Sequence, residues 1–411
     1  MCDIIGLGCN PKPLGRIAVG AVASLRLCPC PAVKRQRNSS NIEYMKIMTN
    51  HLNGTIMSAD RVVGTVKDGL LVGFDKQRLP LYLLHTKDVQ GWLCGRAIDS
   101  HRTNSRLLKK ALRIGTTDDL EAVLQVHGAT ITDDYWYKAD GENITYSDVK
   151  FTENQFAELA LRGDPDSFNK APSRTPELTN TGSFEKCWRL IEGRWNMVKR
   201  GDSAERFAEI FISKLGTALG FPMAEYSENG DTVVSPDFTN GKVNFESADG
   251  LVGDDEDYEK NFQVFYSLSS QLAKEYLQII YLDTLCFNMD RHTKNYGVLR
   301  DKESGEIISL APNFDNNIAL FSRGVPKDIS RQNDKLLELF VEFLESNDEA
   351  LQMAEQLPVP TEQMIDDCIM LAGGSDDAAA VKEFVMSGNV IIQAESERLM
   401  DEELTLGGQN L

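Results

Sequence analysis

Asp290-Arg291-His292-Thr293-Lys294-Asn295, followed twenty positions after Asn295 by Asp315 in Ala311-Pro312-Asn313-Phe314-Asp315-Asn316, holds the groups in this chain best suited to chemistry. Phosphoryl transfer needs little covalent help from a protein; it needs positioning and neutralisation of charge on the phosphates. A carboxylate such as Asp290 can accept the proton of an incoming hydroxyl. An amide oxygen (Asn295) and a second carboxylate (Asp315) are hard oxygen ligands of the kind Mg²⁺ takes. Each acid alone reads as a cap or turn residue. Together their spacing points to transfer of a phosphoryl group.

The flanking sequence supplies elements that would bring these groups together. Residues 296–299 read as a strand, the polar stretch 300–306 as a turn, and residues 307–310 as a returning strand that ends near Asp315. A hairpin of that length carries Asn295 and Asp315 to the same end. Upstream, Phe265, Leu268, Leu272, Tyr276, Ile279, Ile280 and Leu285 recur at helical spacing, which predicts one buried helix over 262–285 delivering the loop at its end.

These segments resemble the HipA-like serine/threonine kinase family, whose members carry an Asp-Arg-His-x-x-Asn loop and a later Pro-x-x-Asp motif. The matching positions are Asp290, Arg291, His292 and Asn295, then Pro312 and Asp315. Phosphatidylinositol kinases share a related loop, so the resemblance speaks to fold more than to substrate. It implies an α+β, two-lobed protein-kinase-like fold with a mostly helical C-lobe and a small accessory N-terminal domain. It further implies ATP and Mg²⁺ as cofactors, Asp290 as catalytic base, His292 as a structural or catalytic residue of the loop, Asn295 and Asp315 as metal ligands, and a protein substrate with a Ser or Thr acceptor.

Such a kinase needs a lysine on the nucleotide and an acid to hold it. In Arg194-Trp195-Asn196-Met197-Val198-Lys199 the alternation puts Trp195, Met197 and Lys199 on one strand face, with the ammonium at the end of an apolar surface. Gly201-Asp202-Ser203 then supplies a turn and a cap for a helix over about 204–219. Glu205 and Glu209 lie on one side of that helix, and either acid could pair with Lys199. The resemblance favours Glu209, since Gly220-Phe221-Pro222 follows at the family's distance. Ahead of the strand, Thr179-Asn180-Thr181-Gly182-Ser183-Phe184-Glu185-Lys186 resembles the family's Gly-Ser-x-x-x-Lys stretch. Thr181, Gly182 and Ser183 are thereby expected to bind the cofactor through backbone N–H groups. This loop is neither a Walker A loop nor a Gly-x-Gly-x-x-Gly loop. Residues 232–238 read as a strand running into a proline break, as a hinge between lobes would.

The chain has 411 residues, more than one comfortable core, and a net charge of −19. That charge argues against nucleic-acid binding over the whole molecule and against anionic membranes. Cys28 and Cys30 lack a matching pair for zinc, and Cys187 and Cys286 fall in apolar patterns that read as buried thiols of a reducing compartment, hence a cytoplasmic protein. Residues 1–44 hold four of the eight cysteines and six Lys or Arg against two acids, and are expected to be a disordered leader or a non-native start ahead of Met45 or Met48. The expected division of the rest is an accessory domain over 45–165, an N-lobe over 166–240 and a C-lobe over 241–411. In the accessory part, residues 62–66 and 70–74 read as strands, 106–114 and 117–126 as helices, and Trp136 as core or as an anchor for a partner. Helices are expected over 336–344, 350–357, 361–371, 376–386 and 390–400. The family's type member pairs with a DNA-binding antitoxin, so an antitoxin-like regulator is a partner the resemblance implies, although the N-terminal part here differs in layout. A kinase-like enzyme acting on a small molecule or lipid headgroup, and a nucleotide-binding pseudokinase, are the alternatives that the same residues leave open.

Overall fold

A computed structural model of the chain describes residues 52–114, 118–324 and 329–408. The leader expected over 1–44, and the starts at Met45 and Met48, lie outside the described residues. The fold is α+β, built on three antiparallel sheets.

The first sheet opens with β1 (Gly54–Ser58), β2 (Arg61–Lys67) and β3 (Leu70–Phe74). Asp68 and Gly69, at φ 51° and 76°, make the two-residue turn whose twist suits an antiparallel hairpin. Helices α1 (Leu81–Thr86), α2 (Val89–Gly95), α3 (Ser105–Ala111) and α4 (Asp119–Leu124) precede β4 (Tyr135–Ala139), which returns to β1 and gives the order β3-β2-β1-β4. Strand alternation sorts the side chains onto two cores. Ile56, Tyr135 and Tyr137 pack with Leu83, Val89 and Trp92, whereas Met57 and Trp136 pack with Leu108, Phe151 and Phe156. Trp136 is wholly buried and donates Nε1–H to the carbonyl of Ala59 at 2.7 Å, so it is core and does not present itself to a partner. Two short helices, α5 (Tyr146–Val149) and α6 (Ala157–Arg162), follow.

The second sheet has the order β5-β6-β8-β7, from β5 (Lys186–Ile191), β6 (Arg194–Arg200), β7 (Ser227–Asn229) and β8 (Thr232–Pro236). Between β6 and β7 runs α7 (Ser203–Ala218). Its start is a capping box: the Asp202 carboxylate accepts from the Glu205 amide at 2.9 Å, and the Glu205 carboxylate accepts from the Asp202 amide at 3.1 Å.

The remainder contains β9 (Val243–Ser247), α8 (Asp249–Val252), α9 (Tyr258–Leu268), α10 (Ser270–Cys286), β10 (Gly297–Asp301) and β11 (Ile307–Leu310), with strand order β11-β10-β9. Helices α11 (Lys335–Glu345), α12 (Asp348–Ala354), α13 (Glu362–Leu371) and α14 (Ala378–Gly408) complete it. One large core joins α7, α9, α10, α11 and α14 through Phe211, Phe262, Tyr276, Phe340 and Phe384. Cys187 and Cys286 are buried free thiols. Among the described residues no helix is long and apolar enough to cross a membrane.

Two helix expectations need correction. The segment 262–285 is not one helix, because Ser269 has extended backbone (φ −170°, ψ 138°) and its hydroxyl accepts from the Gln271 amide, capping a new helix. Conversely, the segments expected over 376–386 and 390–400 merge, from Ala378 on, into the single helix α14. Gly388 does not break that helix; it makes room, since a Cβ there would lie 2.1 Å from Nη1 of Arg331. The Arg331 guanidinium uses that room to donate to the carbonyls of Thr284 (2.6 Å) and Leu285 (2.8 Å) at the end of α10.

Candidate active site

Lys199 sits near the end of β6, where the neighbouring strands bury it. Its ammonium donates to Oδ1 of Asp315 at 2.6 Å and to the two Glu209 oxygens at 3.3 and 3.2 Å. Glu205, one turn earlier on α7, has its carboxylate on the Asp202 amide instead. Burial alone would push Lys199 down, but the Asp315 and Glu209 carboxylates outweigh it and hold the ammonium above its ordinary value. Burial likewise pushes Asp315 up, and the ammoniums of Lys199 and Lys186 reverse this and hold the carboxyl well below the usual range.

Asp315 adopts φ 64°, the left-handed region that non-glycine residues avoid. Its surroundings fix that conformation: its amide donates to the Tyr226 hydroxyl at 3.2 Å, and the next amide, of Asn316, donates to Oε1 of Glu209 at 3.1 Å. Strain of this kind persists only where neighbours over-determine it, which is usual at functional sites. The segment just before Asp315 is tied to the chain after Gly220-Phe221-Pro222. The Asn313 amide donates to the Pro222 carbonyl and the Ala224 amide to the Asn313 carbonyl.

The loop 290–295 is joined to the same segment by Arg291. Its guanidinium donates to the carbonyls of Asn295 (2.6 Å) and Phe314 (2.8 Å), to Oδ1 of Asn313 (2.8 Å) and to Oδ1 of Asn316 (2.7 Å). The buried Asp283 carboxylate of α10 holds it in place at 2.7 and 2.9 Å. Nδ2 of Asn295 donates to the Asp290 carbonyl at 2.9 Å, which leaves its Oδ1 available to a cation. Nδ1 of His292 accepts from the Lys294 amide at 3.2 Å, turning that ring into its own loop, and Asp290 is half-buried.

In the loop before β5, Gly182 has φ 94°, and a Cβ there would lie 2.6 Å from Nζ of Lys186. The ammonium therefore packs against the glycine backbone. Lys186 is buried, yet its ammonium meets no acceptor among the described residues, and burial together with the Arg102 and Lys199 charges pushes it down to about 8 despite Asp315. The amides of Thr181, Gly182 and Ser183 likewise donate to no described residue. A lysine ammonium that hydrogen-bonds to no described residue, beside three such amides, is a cradle for an anion. Among the described residues no group of three His, Cys, Asp or Glu side chains could hold a metal alone. Asn295 and Asp315, on the two segments that Arg291 ties together, are oxygen donors of the kind Mg²⁺ takes, with the rest of its shell coming from water and phosphate.

Sequence reasoning missed Tyr226, Asp283 and Asn316 as supports of this site. Asp283 had a local signal, an acid set in the mostly apolar run 279–286 and eight residues before Arg291.

Neither a protein-family model nor a curated protein matches the sequence. Among solved structures, the chain is similar to one in the complex of the Shewanella oneidensis MR-1 toxin–antitoxin system HipA, HipB and its operator DNA. The TM-score is 0.54 at 14% identity, over 84% of this chain and 97% of that one. A Helicobacter pylori proinflammatory kinase, CtkA, is matched at 18% identity over 51% of this chain and 94% of that chain, with a TM-score of 0.32. The chain shares the fold of that HipA structure.

Proposed function

We propose that this protein is an ATP- and Mg²⁺-dependent phosphotransferase that acts on a serine or threonine of a protein substrate. One observation carries the reading: Lys199 bridges Glu209 and Asp315, while Arg291 ties the loop bearing Asp290 and Asn295 to the segment bearing Asp315. In this reading Asp290 accepts the proton of the incoming hydroxyl, and Lys199, oriented by Glu209, binds the phosphates of ATP. Thr181, Gly182 and Ser183 contribute backbone N–H groups to the same phosphates, with Lys186 beside them. His292 shapes the loop. Asn295 and Asp315 would hold Mg²⁺, which when bound neutralises charge on the phosphates.

The same reading divides the described chain into an accessory part (to 165), an N-lobe (166–240) and a C-lobe (from 241), and places the protein in the cytoplasm, where ATP is available. A regulatory partner of the antitoxin kind belongs to it as well, since the S. oneidensis HipA is found in complex with HipB. The test is incubation of purified protein with γ-labelled ATP, Mg²⁺ and candidate acceptors. Label on Ser or Thr of protein supports the proposal; label on small molecules alone gives a different substrate class, and ATP binding without any transfer makes the protein a pseudokinase.

A further inference from the structure

Arg102 lies between α2 and α3, far in sequence from every residue of the site, and its side chain is wholly buried. Its guanidinium reaches the loop before β5 and donates to four carbonyls. Nη2 donates to Asn180 (2.8 Å) and Thr181 (3.3 Å), Nε to Gly182 (3.2 Å), and Nη1 to Lys186 (3.4 Å). The Glu177 carboxylate, itself wholly buried, stands 3.9 Å from Nη1 and is fixed by the Trp188 amide (2.7 Å) and by Nδ2 of Asn154 (2.7 Å) and Asn180 (2.9 Å). Arg102 is therefore both charge-compensated and rigidly aimed.

Peptide planarity gives this arrangement its consequence. In a trans peptide the carbonyl of one residue and the N–H of the next point in opposite directions. Carbonyls of Asn180, Thr181 and Gly182 gathered on one guanidinium turn the N–H groups of Thr181, Gly182 and Ser183 away from it, and these are the three amides that meet no acceptor among the described residues. A planar group with five donors is suited to hold several carbonyls at once; an ammonium has three and no fixed plane.

We infer that Arg102 is a positioning residue for phosphate binding: from outside the two lobes it holds the loop carbonyls so that the amides of residues 181–183 present a preformed anion cradle. The inference rests on the reading of those amides as ligands of the ATP phosphates. It makes nucleotide affinity depend on how the region before residue 165 is packed.

Two variants of the full chain, Arg102→Lys and Arg102→Met, are compared with the parent for binding of ATP and of adenosine, and for ¹⁵N relaxation of the Gly182 and Ser183 amides. The expected result is an ATP affinity at least about tenfold weaker in both variants with adenosine affinity held, because only ATP uses the cradle. Amide order parameters should fall from near 0.85 toward about 0.6. Should Arg102→Met fail to fold, Arg102→Lys carries the test. Equal losses of ATP and adenosine, or no change in either, overturn the inference. A parent that binds neither ligand refutes the proposed function, and the relaxation data alone then decide about Arg102: increased loop mobility supports its positioning role, unchanged mobility removes it.

Discussion

The ammonium of Lys199 lies 2.6 Å from Oδ1 of Asp315, across 116 positions of sequence, with Glu209 on its other side. A lysine from a strand of the second sheet and an aspartate from the segment after β11 thus share one partly buried contact. Asp315→Asn keeps the side-chain shape and tolerates the left-handed backbone at that position. It should weaken ATP binding more than tenfold (about 1.4 kcal/mol) in Mg²⁺ and much less in EDTA, read by calorimetry. Equal losses with and without the metal would remove Asp315 from the metal site.

The two glutamates of α7 should separate cleanly. Glu209→Gln is expected to raise the KM for ATP and lower kcat, because Lys199 loses its orienting partner. Glu205→Ala should leave those constants near the parent's while costing about 0.5–2 kcal/mol of stability through loss of the capping box, seen as a lower melting temperature. The reverse pattern would exchange their roles.

Much of this was legible because it is local. The step from Asp290 to Asn295 fits a single turn, the strand alternation around Lys199 is readable over six residues, and Glu192-Gly193 marks its hairpin with two positive φ values. What was not legible comes from contacts across the chain. Tyr226 supports Asp315 from 89 positions away and Arg102 reaches Gly182 across 80, and no spacing announces either. The helix errors have a different cause. One hydroxyl at Ser269 ends a helix whose apolar pattern runs on, while Gly388, which reads as a breaker, serves Arg331 inside an unbroken helix.

Lys186 gives the site a pH dependence. Its ammonium titrates near 8 in the folded protein, below the value of about 10.4 for an unfolded chain. The charged form, present below about pH 8, is the one that attracts phosphate. ATP affinity should therefore fall as pH rises above 8, by up to about tenfold per unit, and Lys186→Met should flatten that fall. Stability runs the other way: between about 8 and 10.4 the unfolded chain binds the extra proton, so this group makes the fold more stable as pH rises through that window. A parent and a Lys186→Met variant with superimposable affinity profiles would contradict the assignment.

Gly388→Ala should destabilise the fold by about 1–3 kcal/mol, because the new methyl group meets the Arg331 guanidinium and displaces it from the end of α10. Urea unfolding measures this. A neutral result would mean that Arg331 has a second place to go.

Turnover of γ-labelled ATP by the parent and by Asp290→Asn, each also measured for ATP binding, tests the central claim most directly. The parent is expected to transfer phosphate, and Asp290→Asn to bind ATP nearly as well while turnover drops by about 10²- to 10⁴-fold. A parent that neither binds nor consumes ATP, or a variant as active as the parent, would contradict the account.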